Sequence, residues 1–156
     1  MVEEAEGNTI AFVSSAGGVL PDVVAIADNW PTPARELWIA PPAIDTRATL
    51  CGREVIWVDE PADHPLSMLK ASHSARSVLR EQQVSWVVSA GTAIAVPFFL
   101  AAKSLGVSSV WVETLNIHGG QGRVAELCTR LATRTLVQSP DRLSAHRRAL
   151  LVGELQ

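Results

Sequence analysis

The sequence predicts an α/β fold: a single Rossmann-like, doubly wound parallel sheet of about six strands. Three observations predict it. Short apolar runs rich in Val, Ile and Ala recur along the chain without polar alternation, as expected of strands covered on both faces. Segments of helical spacing separate those runs. Two of the strand-to-helix junctions, "SSAGGV" after the first run and "SAGTA" after the fourth, consist almost wholly of small residues. A strand order of 3-2-1-4-5-6 would set the first and fourth strands side by side, with a crevice beyond their carboxyl ends.

The elements follow in order. Residues 1–8 are polar and acidic and are expected to fray, leaving residues 9–156 as one domain. Ile10–Val13 reads as the first strand and Val19–Asp28 as the first helix; Pro21 is tolerable in a first turn and "NWPTP" ends the segment. Leu37–Ala40 is a second strand, stopped by Pro41-Pro42, and Arg47–Arg53 supports at most a helical turn. Val55–Val58 is a third strand, followed by the loop "DEPADHP". Leu66–Gln83 has helix spacing, with Leu66, Leu69, Ala71, Val78 and Leu79 against Lys70, Arg76, Arg80 and Glu81.

Val84–Val88 is strand four. Pro97 suits a first helical turn, so a helix starting near Val96 and running through Phe98–Leu105 leaves residues 90–95 as a loop; Gly106 is its stop. Ser108–Val112 is strand five, Gly122–Leu131 a helix, Thr135–Gln138 strand six and Asp141–Leu151 a final helix. In that last segment Leu143, Leu150 and Leu151 with intervening Arg suit either a second protein lobe or packing on the sheet.

Composition narrows the function. The chain of 156 residues is 47% hydrophobic and 19% charged, with a net charge of −3, which argues against a nucleic-acid binder. A mean hydropathy of +0.19 fits buried strands and fits equally a surface that needs a partner. Charge is unevenly placed: Glu3, Glu4 and Glu6 open the chain, while six Arg stand against three acids from His118 onward. Cys51 and Cys128 show no metal or redox spacing, no secretory signal is present, and no apolar run approaches the roughly 18 residues of a membrane span. The cytoplasm is the expected compartment.

Common nucleotide motifs are missing. Gly17-Gly18 lacks a third glycine in register, Pro41-Pro42 stands where a ribose-binding acid would end strand two, and neither G-K-[ST] nor G-x-S-x-G occurs. No cofactor and no metal is expected. What remains is the pair of small-residue loops, each leading into a helix N-terminus whose free N–H groups favour an anion. Ser14, Ser15, Gly17, Gly18, Gly91 and Thr92 are therefore candidate acceptor- or phosphate-binding residues, the alternative being that these glycines only make tight turns. Glu113 ends strand five at the same rim, as a base, a sugar-hydroxyl acceptor or a loop cap. His118 is the best-placed of four histidines for catalysis; His64, His73 and His146 are expected on the surface.

The segments "FVSSAGGVL", "VVSAGTAIAVPFFLAAKSLGV", "VWVET" and "TLVQSP" resemble, in that order, one glycosyltransferase family. It is the accessory, acceptor-binding subunit of the split UDP-N-acetylglucosamine transferase of the dolichol pathway, with its bacterial exopolysaccharide and capsule counterparts. That family is similar to the N-terminal half of the lipid II-forming N-acetylglucosaminyltransferase, of the two-domain GT-B fold. The resemblance covers Ile10–Pro140 and is strongest over residues 85–113. It implies half of a UDP-sugar transferase, of the UDP-N-acetylglucosamine or UDP-glucuronate type, making a cell-surface polysaccharide or glycolipid. The implied partners are a separate UDP-sugar-binding chain, a lipid-linked or glycan acceptor, and the cytoplasmic face of a membrane. On matching positions the acceptor rim comprises Ser15, Gly17, Gly18, Gly91, Thr92 and Glu113.

Two departures stand out. The family usually has His after the glycine pair, and here that position is Val19, which cannot take a proton. Many relatives begin with a hydrophobic segment, whereas this chain begins "MVEEAEGN"; membrane contact would then rest on exposed apolar surface and the Arg-rich C-terminal face. The alternatives are a non-catalytic binding or scaffold module of degenerate glycosyltransferase-like fold and a free-standing nucleotide-sugar or small-anion binder.

Overall fold

The computed structural model describes residues 8–114, 122–138 and 149–151. Its elements are β1 (Thr9–Val13), α1 (Val19–Asp28), β2 (Arg35–Ala40), α2 (Ile44–Thr49), β3 (Val55–Trp57), α3 (Pro65–Glu81), β4 (Val84–Ser89), α4 (Ala95–Leu105), β5 (Ser108–Glu113), α5 (Arg123–Leu131), β6 (Arg134–Val137) and β7 (Ala149–Leu151). They form one sheet in the order β3-β2-β1-β4-β5-β6-β7, every pair parallel. The six expected strands and their order are present. The order reverses at β1–β4, where Phe12 lies opposite Val88.

Period-two geometry explains why the strands lack polar residues: each face of the sheet has its own core. Ala11 and Val13 point toward one cluster, with Ala75 and Leu79 of α3, Phe98 and Phe99 of α4, and Cys128 of α5. Ile10 and Phe12 point the other way, into a cluster with Leu20, Val23 and Ile26 of α1. There the Phe12 ring stacks on Trp38 at 5.2 Å and meets Trp30 edge-on at 5.8 Å. Arg53 seals this core from outside: its guanidinium lies 5.2 Å from the Trp38 ring and reaches Asp28 at 2.7 Å and Glu36 at 3.0 Å.

Local chemistry sets the helix boundaries. Pro65 opens α3, and the His64 ring nitrogen accepts the Ser67 amide hydrogen at 3.2 Å. Gly106 closes α4 in the left-handed conformation. Helix α4 starts at Ala95, one residue before the expected point, because Ala95 and Val96 amides bond back to the Thr92 and Ala93 carbonyls.

Two expectations need correction. The short helix after β2 is Ile44–Thr49, ahead of the Arg47–Arg53 turn, because the Thr46 hydroxyl accepts the Ala43 amide at 3.0 Å and donates to the Pro41 carbonyl at 2.6 Å. The final helix does not reach Leu151: Ala149–Leu151 is a strand, with Leu136 opposite Leu150, so the sheet has seven strands. Pairing with the open edge of β6 overrides the helical leaning of Ala and Leu. The rest of that segment, residues 139–148, lies outside the described residues.

Candidate functional site

The two small-residue loops meet at the carboxyl ends of β1 and β4. The decisive contact is between Gly91 and Val19: a Cβ built on Gly91 would stand 3.6 Å from both methyl groups of Val19. Gly91 is buried, has φ +151°, and is joined to Thr92 by a cis peptide. One loop thus carries backbone, not a side chain, against the first residue of the other loop's helix.

The expected anion-binding residues are differently equipped. Ser14 and Ser15 are buried; the Ser14 amide donates to the Ile39 carbonyl at 3.0 Å and its hydroxyl to the Ser15 carbonyl at 3.0 Å. Gly17 is exposed with φ +88°, and its amide donates to the Asp45 carboxylate at 2.7 Å. Gly91 is likewise engaged: its amide donates to the Ser89 hydroxyl at 3.3 Å, and that hydroxyl donates to the Gly91 carbonyl at 3.1 Å. Gly18 is exposed, in ordinary right-handed geometry with φ −63°, and leads into α1. Thr92 is half-buried just ahead of α4. In the first turns of α1 and α4 the Leu20, Ala95 and Val96 amides bond back to the Gly17, Thr92 and Ala93 carbonyls, and Pro21 and Pro97 have no N–H to offer.

Glu113 ends β5, one strand beyond β4, and is 7% exposed beside the buried Thr114. The structure brings Ser15, Gly17, Gly18, Gly91, Thr92 and Glu113 to the same edge of the sheet, since β1, β4 and β5 are consecutive and parallel. His118 lies outside the described residues. His64 caps α3 and His73 is exposed on the same helix.

Asp45 and Ser89 had escaped notice. Asp45 follows β2 by five residues and reaches the β1 loop, 28 residues away in sequence. Its signal in the sequence is an acid just past a strand that ends at the same rim. A hollow of about 340 Å³ adjoins the crevice, walled by Trp57, Val58, Pro61, Ile94, Pro97 and Phe98. Larger hollows lie elsewhere: about 660 Å³ around Trp30 under the α1–β2 connection, and about 710 Å³ between α3 and α4. Among the described residues no group of three or more His, Cys, Asp or Glu is arranged for a metal ion.

The arrangement is one wall of a cleft. It combines a rim of small residues on the β1 and β4 loops with a buried carboxylate, Glu113, at the end of β5.

No protein-family model and no curated protein matches the sequence. Solved structures do. The chain superposes on MurG of Acinetobacter baumannii with a TM-score of 0.72 at 18% identity, covering 94% of this chain and 44% of that one. It superposes on the UDP-N-acetylglucosamine 2-epimerase of Rickettsia bellii with a TM-score of 0.73 at 9% identity, covering 96% and 46%. The lipopolysaccharide outer core galactosyltransferase WaaB gives 0.63 at 17% identity, covering 93% and 45%. The chain thus has the fold of the N-terminal half of GT-B glycosyltransferases and spans less than half the length of these neighbours. Transferases and epimerases share that fold, so it does not by itself give the reaction.

Proposed function

We propose that the chain is the acceptor-binding half of a UDP-sugar glycosyltransferase, of the UDP-N-acetylglucosamine or UDP-glucuronate type, in cell-surface polysaccharide or glycolipid synthesis. A separate chain supplies the lobe that holds the UDP-sugar, and the lipid-linked or glycan acceptor lies against the β1 and β4 loops. The observation that carries this reading is the Gly91–Val19 contact, which makes one crevice of two loops at the sheet's switch point. The GT-B likeness supports it, since those neighbours are more than twice this chain's length.

In the proposed reaction an acceptor hydroxyl oxygen bonds to the anomeric carbon as that carbon's bond to the diphosphate breaks. UDP leaves with the electron pair, and the hydroxyl proton passes to a base. Val19 cannot be that base. Glu113, buried at the rim, is the candidate among the described residues, with His118 the other candidate. Closing a second lobe over the crevice excludes water from the transfer.

The test is co-expression with a candidate UDP-sugar-binding lobe and measurement of labelled sugar transfer to a lipid-linked acceptor. The complex should transfer, the chain alone should not, and Glu113→Ala should lower turnover about 100-fold or more, as loss of a general base does. Robust transfer by the chain alone would overturn the two-chain reading. One observation favours a scaffold instead: Val19 stands at the rim and the Gly17 and Gly91 amides are already engaged. A stable complex without transfer would decide for that reading.

A further inference from the structure

Resting on the acceptor-binding reading above, we infer that Asp45 sets the specificity of the crevice. The part of the acceptor that lies against the β1 and β4 loops is an uncharged, hydroxyl-bearing sugar ring, and a phosphate or uronate is turned away.

The first observation is that the donors an anion needs are already used. A phosphate is held by several backbone N–H groups that converge on it. Here the Gly17 amide donates to Asp45 at 2.7 Å, the Gly91 amide to the Ser89 hydroxyl, and the Ser14 amide to the Ile39 carbonyl. At the start of α1 the Leu20 amide returns to the Gly17 carbonyl, and Pro21 has no N–H. At the start of α4 the Ala95 and Val96 amides return to Thr92 and Ala93, and Pro97 has no N–H. Neither small-residue loop keeps the run of spare donors that grips a phosphate.

The second observation is charge. The strands are parallel, so the loops leaving their carboxyl ends share one rim. Asp45, Asp59, Glu60, Asp63 and Glu113 stand on it, against one cation among the described residues, Arg47. Arg47 is drawn to Trp57, its guanidinium 5.1 Å from the ring centroid. Asp45 is the acid bonded to a crevice loop, because β2 lies beside β1 and brings α2 to the β1 loop. An anion about 4 Å from a partly solvated carboxylate is disfavoured about ten-fold.

The third observation is what remains to bind with. Asp45 is exposed, and among the described residues its carboxylate makes no hydrogen bond or ion pair beyond the one to Gly17. A carboxylate can accept about four hydrogen bonds, so Asp45 retains capacity for donors, and a sugar hydroxyl is one. On the other loop Thr92 is half-buried, and its hydroxyl has no partner among the described residues. An uncharged ring satisfies both groups without setting charge against charge. A cationic amine fits less well, since the Gly17, Gly91, Thr92 and Ala93 carbonyls that would help to hold it already accept hydrogen bonds.

The experiment is NMR titration of the full chain, reading the Gly17, Gly18, Gly91 and Thr92 amides. The probes are the methyl glycosides of glucose, galactose, mannose and N-acetylglucosamine, with methyl glucuronide, glucosamine and inorganic pyrophosphate. At least one neutral glycoside should shift these amides saturably, and glucuronide and pyrophosphate should bind about ten-fold more weakly or worse. Asp45→Asn keeps the shape and removes the charge. It should strengthen glucuronide and pyrophosphate binding about ten-fold while changing neutral-sugar binding less than about five-fold. A merely structural Asp45 would move both classes of ligand together.

No response to any neutral glycoside, anions bound as tightly as neutral sugars, or tighter binding of glucosamine would overturn the inference. So would an unaltered ratio of anion to neutral binding in Asp45→Asn. None of these outcomes requires sugar transfer. A two-chain complex that transfers sugar without this selectivity would leave the proposed function standing and remove Asp45 from it. Selectivity in a chain that supports no transfer would do the reverse.

Discussion

Gly91→Ala probes the contact on which the crevice depends. At φ +151° the backbone is in a region nearly closed to residues with a Cβ, and occupying it costs about 1–3 kcal/mol. The new methyl would meet Val19 at 3.6 Å, ordinary van der Waals distance, so crowding adds little and burial returns under about 1 kcal/mol. The net loss should be about 1–2 kcal/mol, or about 2 to 8 °C in melting temperature for a domain of this size. Urea unfolding of Gly91→Ala, Val19→Ala and the double variant measures it. Because the cost is torsional, removing the Val19 methyls should not rescue it, and the coupling should stay below about 0.5 kcal/mol. Gly18→Ala is the internal control: with φ −63° and nothing within 4 Å of a Cβ, it should be neutral or slightly stabilising. An unchanged midpoint for Gly91→Ala, or its rescue by Val19→Ala, would refute the reasoning.

Burial pushes the Cys128 thiol up to about 12, while Cys51 is exposed, so an aromatic disulfide reagent should label one thiol in the native chain and two in denaturant. The sign for stability follows. In the unfolded chain this thiol ionises near 9, and in the folded one it does not, so its contribution is intact below pH 9 and is lost as pH rises above it; Cys128→Ala should flatten that alkaline limb of the melting curve. Trp38→Ala removes a fully buried ring that stacks on Phe12 and lies under Arg53, and should cost about 3–5 kcal/mol by denaturant unfolding. Asp45→Ala frees the Gly17 amide, so inorganic pyrophosphate should shift that amide's NMR resonance more than in the parent chain; an equal response would deny Asp45 its place in the site.

The sheet was legible because burial on both faces leaves a plain mark: Ile10–Val13 and Val84–Val88 contain almost nothing that tolerates water. The order was legible because strands alternating with helices imply a doubly wound sheet, and its usual order sets the first and fourth strands side by side. Where elements were misjudged, a single side chain or a neighbour decided. Thr46 pulled α2 forward through bonds to Pro41 and Ala43 that no local pattern announces, and the bare edge of β6 drew Ala149–Leu151 into a strand. The site was legible as a place but not as a set of bonds. Which residue engages the Gly17 amide depends on where a distant segment returns, and Asp45 is 28 positions away.

Val19 joins the fold to the chemistry. Its two methyls lie against Gly91, so this side chain sets how closely the β1 and β4 loops approach. A titratable residue there would trade that apolar contact for a proton acceptor, and this chain has kept the contact. Under the proposed function the proton must then leave through another group, and Glu113 is the candidate among the described residues. Asp45 sharpens the point. Holding the Gly17 amide at 2.7 Å, it places a negative charge beside the β1 glycines, which an anionic acceptor of the proposed kind would have to displace.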